Sequence, residues 1–169
     1  MIARHLLGAT LVCAALATHA ADTPPPPAVT PPPPYGPAIK LVDARRCVAA
    51  VQAYAAQKQW YMVVTVVDSG GHQVASERMD NAQYGSIGPA LHKAQTASAF
   101  RRSTKVFEDV VAQGGAALRL LKLDGAMPIE GGLPLVMNGA LVGAVGVSGG
   151  TSAQDGEAAG ACVAALASP

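Results

Sequence analysis

Asn138-Gly139 stands between two apolar runs, Leu133–Met137 and Ala140–Val147. Both residues of this pair tolerate positive φ, so it is the favoured two-residue hairpin turn, and a hairpin is necessarily antiparallel. A second hairpin precedes it. Tyr61–Val67 is a dense β-branched run, as a buried strand requires. Asp68-Ser69-Gly70-Gly71 is a turn signal, and His72–Arg78 returns as the second strand. Helical spacing surrounds both hairpins. In Ile39–Gln59, Leu41, Ala44, Val48, Val51 and Ala55 recur on one face, with Cys47 bordering it. Ser86 caps a predicted helix to about Phe100, with Pro89 tolerated in its first turn and Ile87, Ala90, Leu91, Ala94 and Ala97 facing inward. Ser103 or Thr104 caps a short helix through about Val111, which Gln113-Gly114-Gly115 breaks; Ala116–Leu123 is an ambiguous apolar turn. Ser152 opens a last helix, with Asp155 completing an expected capping box and Ala159, Cys162, Val163 and Leu166 inside. Helix, hairpin, helices, hairpin, helix is the order of an α+β domain, an antiparallel sheet with helices packed on it.

The ends of the chain belong to something else. Residues 1–20 have a basic start (Arg4, His5), a short apolar run (Leu6–Leu16) and small residues at the end of Thr18-His19-Ala20. This is the pattern of a secretory signal peptide, too short for a membrane span. Cys13 follows Val12 rather than a small residue, so no lipid anchor is read. Residues 21–37 hold two four-proline runs, Pro24–Pro27 and Pro31–Pro34, and read as a stiff, disordered linker or spacer. The folded domain is expected over 38–169, long enough for one core.

Without Arg4 the chain carries 11 basic and 11 acidic side chains. Near neutrality argues against nucleic acid, and against an anionic membrane once the signal is removed. Export makes a disulfide chemically permissible between Cys47 and Cys162, joining the first helix to the last; two buried thiols are the alternative.

Few constellations suit chemistry. Gly143-Ala144-Val145-Gly146 lies within a predicted strand, the wrong setting for a nucleotide loop. Ser148 lacks the glycine spacing of a hydrolase nucleophile. Beyond residue 20 there are two histidines, His72 and His92, too few for a zinc cluster but enough to ligate a haem iron. His72 sits at a turn. His92 sits on a helix, on a face shared with Thr96 and off the core stripe, and is the first axial candidate. Arg78 or Lys93 is a candidate partner for a ligand carboxylate. Glu130-Gly131-Gly132 offers a carboxylate beside backbone that a ligand can approach closely. Gly149-Gly150-Thr151-Ser152 precedes a helix, where free amides can bind an anion. Each feature also has a purely structural role: solvated histidines, a charged strand end, a tight turn, an ordinary helix start.

Four segments in order resemble the GlcG/HbpS family. They are Val66-Val67-Asp68-Ser69-Gly70-Gly71-His72 continuing to Arg78-Met79-Asp80; Lys93-Ala94 with Thr96-Ala97 and Phe100; Ile129-Glu130-Gly131-Gly132-Leu133-Pro134; and Gly143–Gly150 followed by Asp155. The resemblance implies a five-stranded antiparallel sheet flanked by helices in profilin-like layering. It also implies homo-oligomers, tetramers or octamers, and haem as cofactor. Related domains end cobalamin adenosyltransferases of the PduO type. Family members differ in their haem ligands, so no axial residue transfers. Three functions follow as expectations: a periplasmic or secreted protein binding haem or another small ligand; an enzyme degrading haem or acting on a small organic molecule, with Glu130 and Asp68 as its carboxylates; and an accessory protein for periplasmic oxidoreductases.

Overall fold

The computed structural model describes residues 31–167, so the signal segment 1–20 and the linker up to residue 30 lie outside the described residues. The elements are α1 (Leu41–Gln57), β1 (Val63–Asp68), β2 (Gln73–Arg78), α2 (Ile87–Phe100), α3 (Thr104–Val111), β3 (Gly132–Met137), β4 (Ala140–Ser148) and α4 (Ser152–Ala167). Short 3-10 turns occupy Tyr84–Ser86 and Gly115–Lys122. Both hairpins form as antiparallel pairs, and β4 pairs with β1 to join them in the order β2-β1-β4-β3. Asn138 and Gly139 have φ of 52° and 79°, the positive pair their turn demands. In the other hairpin, Asp68 Oδ1 accepts the amides of Gly70 (2.8 Å) and His72 (2.9 Å).

The sheet has four strands among the described residues, not five. Beyond the end of β1, the chain makes one parallel bridge, Tyr35 to Leu141. Leu141 donates to the Pro34 carbonyl (2.8 Å), and Gly36 and Ile39 donate to Leu141 (2.7 Å) and Val142 (2.8 Å). Prolines at 31–34 and 37 have no N–H to extend this ladder. The end of the proline-rich stretch is nevertheless tied down ahead of residue 38. Tyr35 donates its hydroxyl to the Ala99 carbonyl (2.8 Å), and Arg101 donates to Pro33 (3.2 Å) while its guanidinium lies 5.0 Å from the Tyr35 ring.

The central strands β1 and β4 are covered on both faces, which is why β1 reads as a continuous apolar run. On one face Val64, Val66, Val145 and Val147 meet α1 and α4 through Val48, Val51, Ala158 and Ala159. Each buried valine contributes about 1.5–3 kcal/mol relative to an exposed one. The Cys47–Cys162 disulfide joins the two helices across that layer. On the other face α2 lies close against the sheet, with Ala94, Ala97 and Ala144 in contact. A Cβ on Gly146 would collide with the Ala90 carbonyl, so glycine there sets the helix-to-sheet distance.

Helix α1 ends in a Schellman turn. Gln59 donates to Ala56 (3.1 Å) and Trp60 to Ala55 (2.9 Å), with Gln59 left-handed at φ 59° where glycine is usual. Trp60 then packs edge-on against Tyr54, ring centroids 6.3 Å apart. The box opening α4 is Thr151 with Gln154, one residue earlier than expected. Gln154 Oε1 accepts from the Thr151 amide (2.9 Å), and Thr151 Oγ1 from the Gln154 amide (3.3 Å). That leaves Asp155 for another purpose.

Candidate functional site

Lys93 lies one helical turn from Ala90 and from Ala97, on the inward face of α2. Its ammonium is 2.7 Å from Asp155 Oδ2, with the two side chains 2% and 4% exposed. Lys93 also donates to the Val147 carbonyl (3.2 Å), and Asp155 Oδ1 accepts from the Gly150 amide (2.9 Å). Burial pushes the Asp155 carboxyl above its ordinary range, against the opposing pull of Lys93 and the Gly150 and Gly149 amides. Glycines close the pair in. A Cβ on Gly131 (φ 127°) would come within 2.9 Å of the Lys93 ammonium, and one on Gly132 within 2.6 Å of Thr104 Cγ2. Thr104 Oγ1 in turn accepts from the Gly132 amide (2.9 Å). Lys93, Gly131 and Gly132 therefore share one interior knot. A buried, paired Lys93 is not a free cation for a ligand carboxylate, and Gly131 faces protein where a ligand was expected.

Thr96 is fully buried, not on an accessible face with His92 as expected. The residue turns inward because the chain after the second 3-10 turn crosses it. Thr96 Oγ1 bonds with the His92 carbonyl (2.7 Å), accepts from the Met127 amide (2.8 Å) and lies 3.3 Å from the Gly125 carbonyl. Ile87, expected inside, is 47% exposed. His92 is exposed, with no hydrogen-bond partner for its imidazole among the described residues.

The remaining candidates lie elsewhere. His72 and Arg78 stand at the two ends of β2, roughly 20 Å apart at strand rise. His72 Nδ1 is 3.3 Å from Asp68 Oδ1 on an exposed turn. Burial raises the Asp68 carboxyl, but the His72 and Gly70 amides and the His72 ring outweigh it and hold the carboxyl low. Arg78 donates to the Ala82 carbonyl (2.9 Å) and stacks 4.9 Å from the Tyr84 ring. Glu130 begins the approach to β3, at the opposite edge of the sheet. Its amide donates to Glu108 Oε2, and its carboxylate is 3.8 Å from the Lys105 ammonium. Ser152 donates to the other Glu108 oxygen (2.9 Å). The eight expected ligand residues thus fall into four places, not one: the knot with Glu130 beside it, the His92–Thr96 stretch of α2, and the two ends of β2. Asp155, Thr104 and Glu108 were not foreseen as site partners. The signal for Asp155 was a lysine within an alanine stripe, which has to find a buried counter-charge.

Among the described residues, no group of three or more His, Cys, Asp or Glu side chains could hold a metal ion, and no helix is long and apolar enough to cross a membrane. The 3-10 turn at Gly115–Lys122 buries none of its residues. It exposes Leu118 and Leu121 at 46% and 58%, with Arg119 and Lys122 in its last turn.

Residues 39–164 match the family described as "Haem degrading protein HbpS-like". A 15.0 kDa protein encoded in the dhaT-dhaS intergenic region of Citrobacter freundii is 42% identical over 120 residues, 69% of this chain and 84% of the relative. Protein GlcG of Escherichia coli K12 is 40% identical over 105 residues, 62% of this chain and 77% of GlcG. The crystal structure of a PduOC:haem complex superposes with a TM-score of 0.69 at 33% identity, covering 76% of this chain and 94% of that one.

Proposed function

Because this chain belongs to the HbpS-like family, we propose that it is an exported haem-binding protein that handles or senses haem or iron. The observation that carries the reading is the likeness to a PduOC:haem complex over 94% of that chain. The residues present suit the group. His92 offers an exposed imidazole with no competing partner among the described residues, and one histidine is a sufficient protein ligand for haem iron. Thr96, one turn along α2, pins the segment around Gly125–Met127 beside it. That segment follows the 3-10 turn that exposes Leu118 and Leu121 and carries Arg119 and Lys122, side chains of the kinds that suit an apolar macrocycle and its propionates. Haem, when bound, supplies iron redox chemistry. The chain's own part would be to hold it through the His92 imidazole. His72, held beside Asp68, is the second axial candidate.

Export and self-association belong to the same proposal. The disulfide between α1 and α4 suits an oxidising compartment. Exposed Val136 and Val163, on β3 and α4, offer apolar surface to a second copy. Titration with haemin, followed by Soret absorbance and thermal midpoint, tests the reading. A saturable Soret band at micromolar haemin that weakens in His92→Ala is expected. An unchanged spectrum in that variant removes His92, and neither absorbance change nor thermal protection in the parent removes haem.

A further inference from the structure

Three connections meet at the end of the sheet where β1 begins and β2 and β4 finish. They border an open, solvent-facing hollow of about 260 Å³, room for roughly nine waters and smaller than a drug-sized site. Gln59, Asn81, Gln83 and Gln154 line it, together with Trp60 and Tyr61. Four of the chain's ten carboxamides (two Asn, eight Gln) thus converge on one cavity. No carboxylate, ammonium, guanidinium or imidazole lines it.

The glycine-rich approach to α4 also borders the cavity, yet it offers no anion site. The Gly150 amide is taken by Asp155 Oδ1 and the Thr151 amide by Gln154 Oε1, each at 2.9 Å. An adjoining hollow shares Tyr61 and Asn81 and brings in Asp80, whose charge repels an anion. Lys58 and Glu157, on neighbouring positions, pair with each other at 3.3 Å. Gln83 is engaged with Ser86 (2.9 Å), whereas the side-chain carboxamides of Gln59 and Asn81, the Trp60 indole N–H and the Tyr61 hydroxyl face solvent with no hydrogen-bond partner among the described residues.

Two of these side chains sit on left-handed backbone, Gln59 at φ 59° and Asn81 at φ 64°. Glycine holds that conformation without strain, so a glutamine at the end of α1 gives up stability and gains a carboxamide in the cavity. Uncharged donors and acceptors beside amphipathic aromatic rings match a ring with an apolar face and a rim of hydroxyls. We infer that this cavity is a binding site for a neutral monosaccharide, separate from the surface around His92.

Trp60 is the chain's one tryptophan, so its emission reports the cavity directly. The purified protein is titrated with N-acetylglucosamine, and in parallel with glucuronate as an anionic control. N-acetylglucosamine is expected to change the emission saturably in the millimolar range, with glucuronate at least tenfold weaker. Gln59→Gly and Asn81→Gly each delete one carboxamide while keeping the backbone. Each is expected to weaken binding about three- to tenfold, the value of one hydrogen bond, while the thermal midpoint holds or rises. Haemin titration of both variants is expected to match the parent. No saturable change with N-acetylglucosamine, equal binding of glucuronate, or undiminished affinity in both variants overturns the site. Displacement of haemin by the sugar overturns its separateness and leaves the haem reading standing.

Discussion

Removing the ammonium of Lys93 is the sharpest test of the interior knot that joins α2, α4 and the start of β3. Lys93→Met keeps the length of the stem and leaves Asp155 buried, with backbone amides as its remaining support. Breaking one half of a buried pair costs about 3–5 kcal/mol, because the surviving charge stays desolvated. The 2% and 4% exposure of the two side chains places this pair in that class. A domain of this size has a total stability of roughly 5–15 kcal/mol, so the variant loses about a fifth or more. With a urea slope of about 1.5 kcal/mol per molar, a 3 kcal/mol loss lowers the unfolding midpoint by about 2 M. Asp155→Asn strands the ammonium in the same way and is expected to cost a similar amount. The double variant Lys93→Met/Asp155→Asn removes both charges together and is expected to recover at least 2 kcal/mol of the summed loss, since buried pairs replaced as a unit are tolerated far better than halves. Urea unfolding at pH 7 with the disulfide intact measures all four proteins. Single variants within 1 kcal/mol of the parent, or losses that simply add, rule out a coupled buried pair.

The other predictions are also read by urea unfolding, with reductant or pH varied where stated. Cys47→Ala/Cys162→Ala, or reduction of the parent, is expected to cost up to roughly 5 kcal/mol, because the cross-link spans a sequence separation of 115; a parent insensitive to reductant contradicts the bond. Gln59→Gly relieves left-handed strain at the end of α1 and is expected to add about 1 kcal/mol; a loss of stability would mean the glutamine packs for structural reasons. The Asp68 carboxyl titrates below its ordinary value of 3.8 in the folded chain, so the unfolded chain takes up the proton first as acid is added. Its contribution is complete above 3.8 and disappears as pH falls through the lower folded value. Asp68→Asn is therefore expected to flatten the acid limb of the stability curve below about pH 4, and an unchanged limb counts against the assignment.

The amino-acid order determined what is local. Asn138-Gly139 and Asp68-Ser69-Gly70-Gly71 announce their hairpins because turn chemistry is written within a few residues. Of the α1 stripe, Ala44, Val48, Val51 and Ala55 are buried as expected, while Leu41 at its start is exposed. What the sequence did not reveal depends on distant partners. Lys93 reads as a surface cation until Asp155, 62 residues on, is folded beside it. Thr96 reads as exposed until the segment around Met127 crosses it. How the end of the proline-rich stretch meets Leu141, through a single bridge, was likewise set by residues about a hundred positions apart. Gln59, Asn81 and Gln154 share no motif; the end of the sheet alone brings them together. Periodicity and turn residues encode the path of the backbone, whereas burial, pairing and cavities arise where segments far apart in sequence close on one another, and only the tertiary structure decides those.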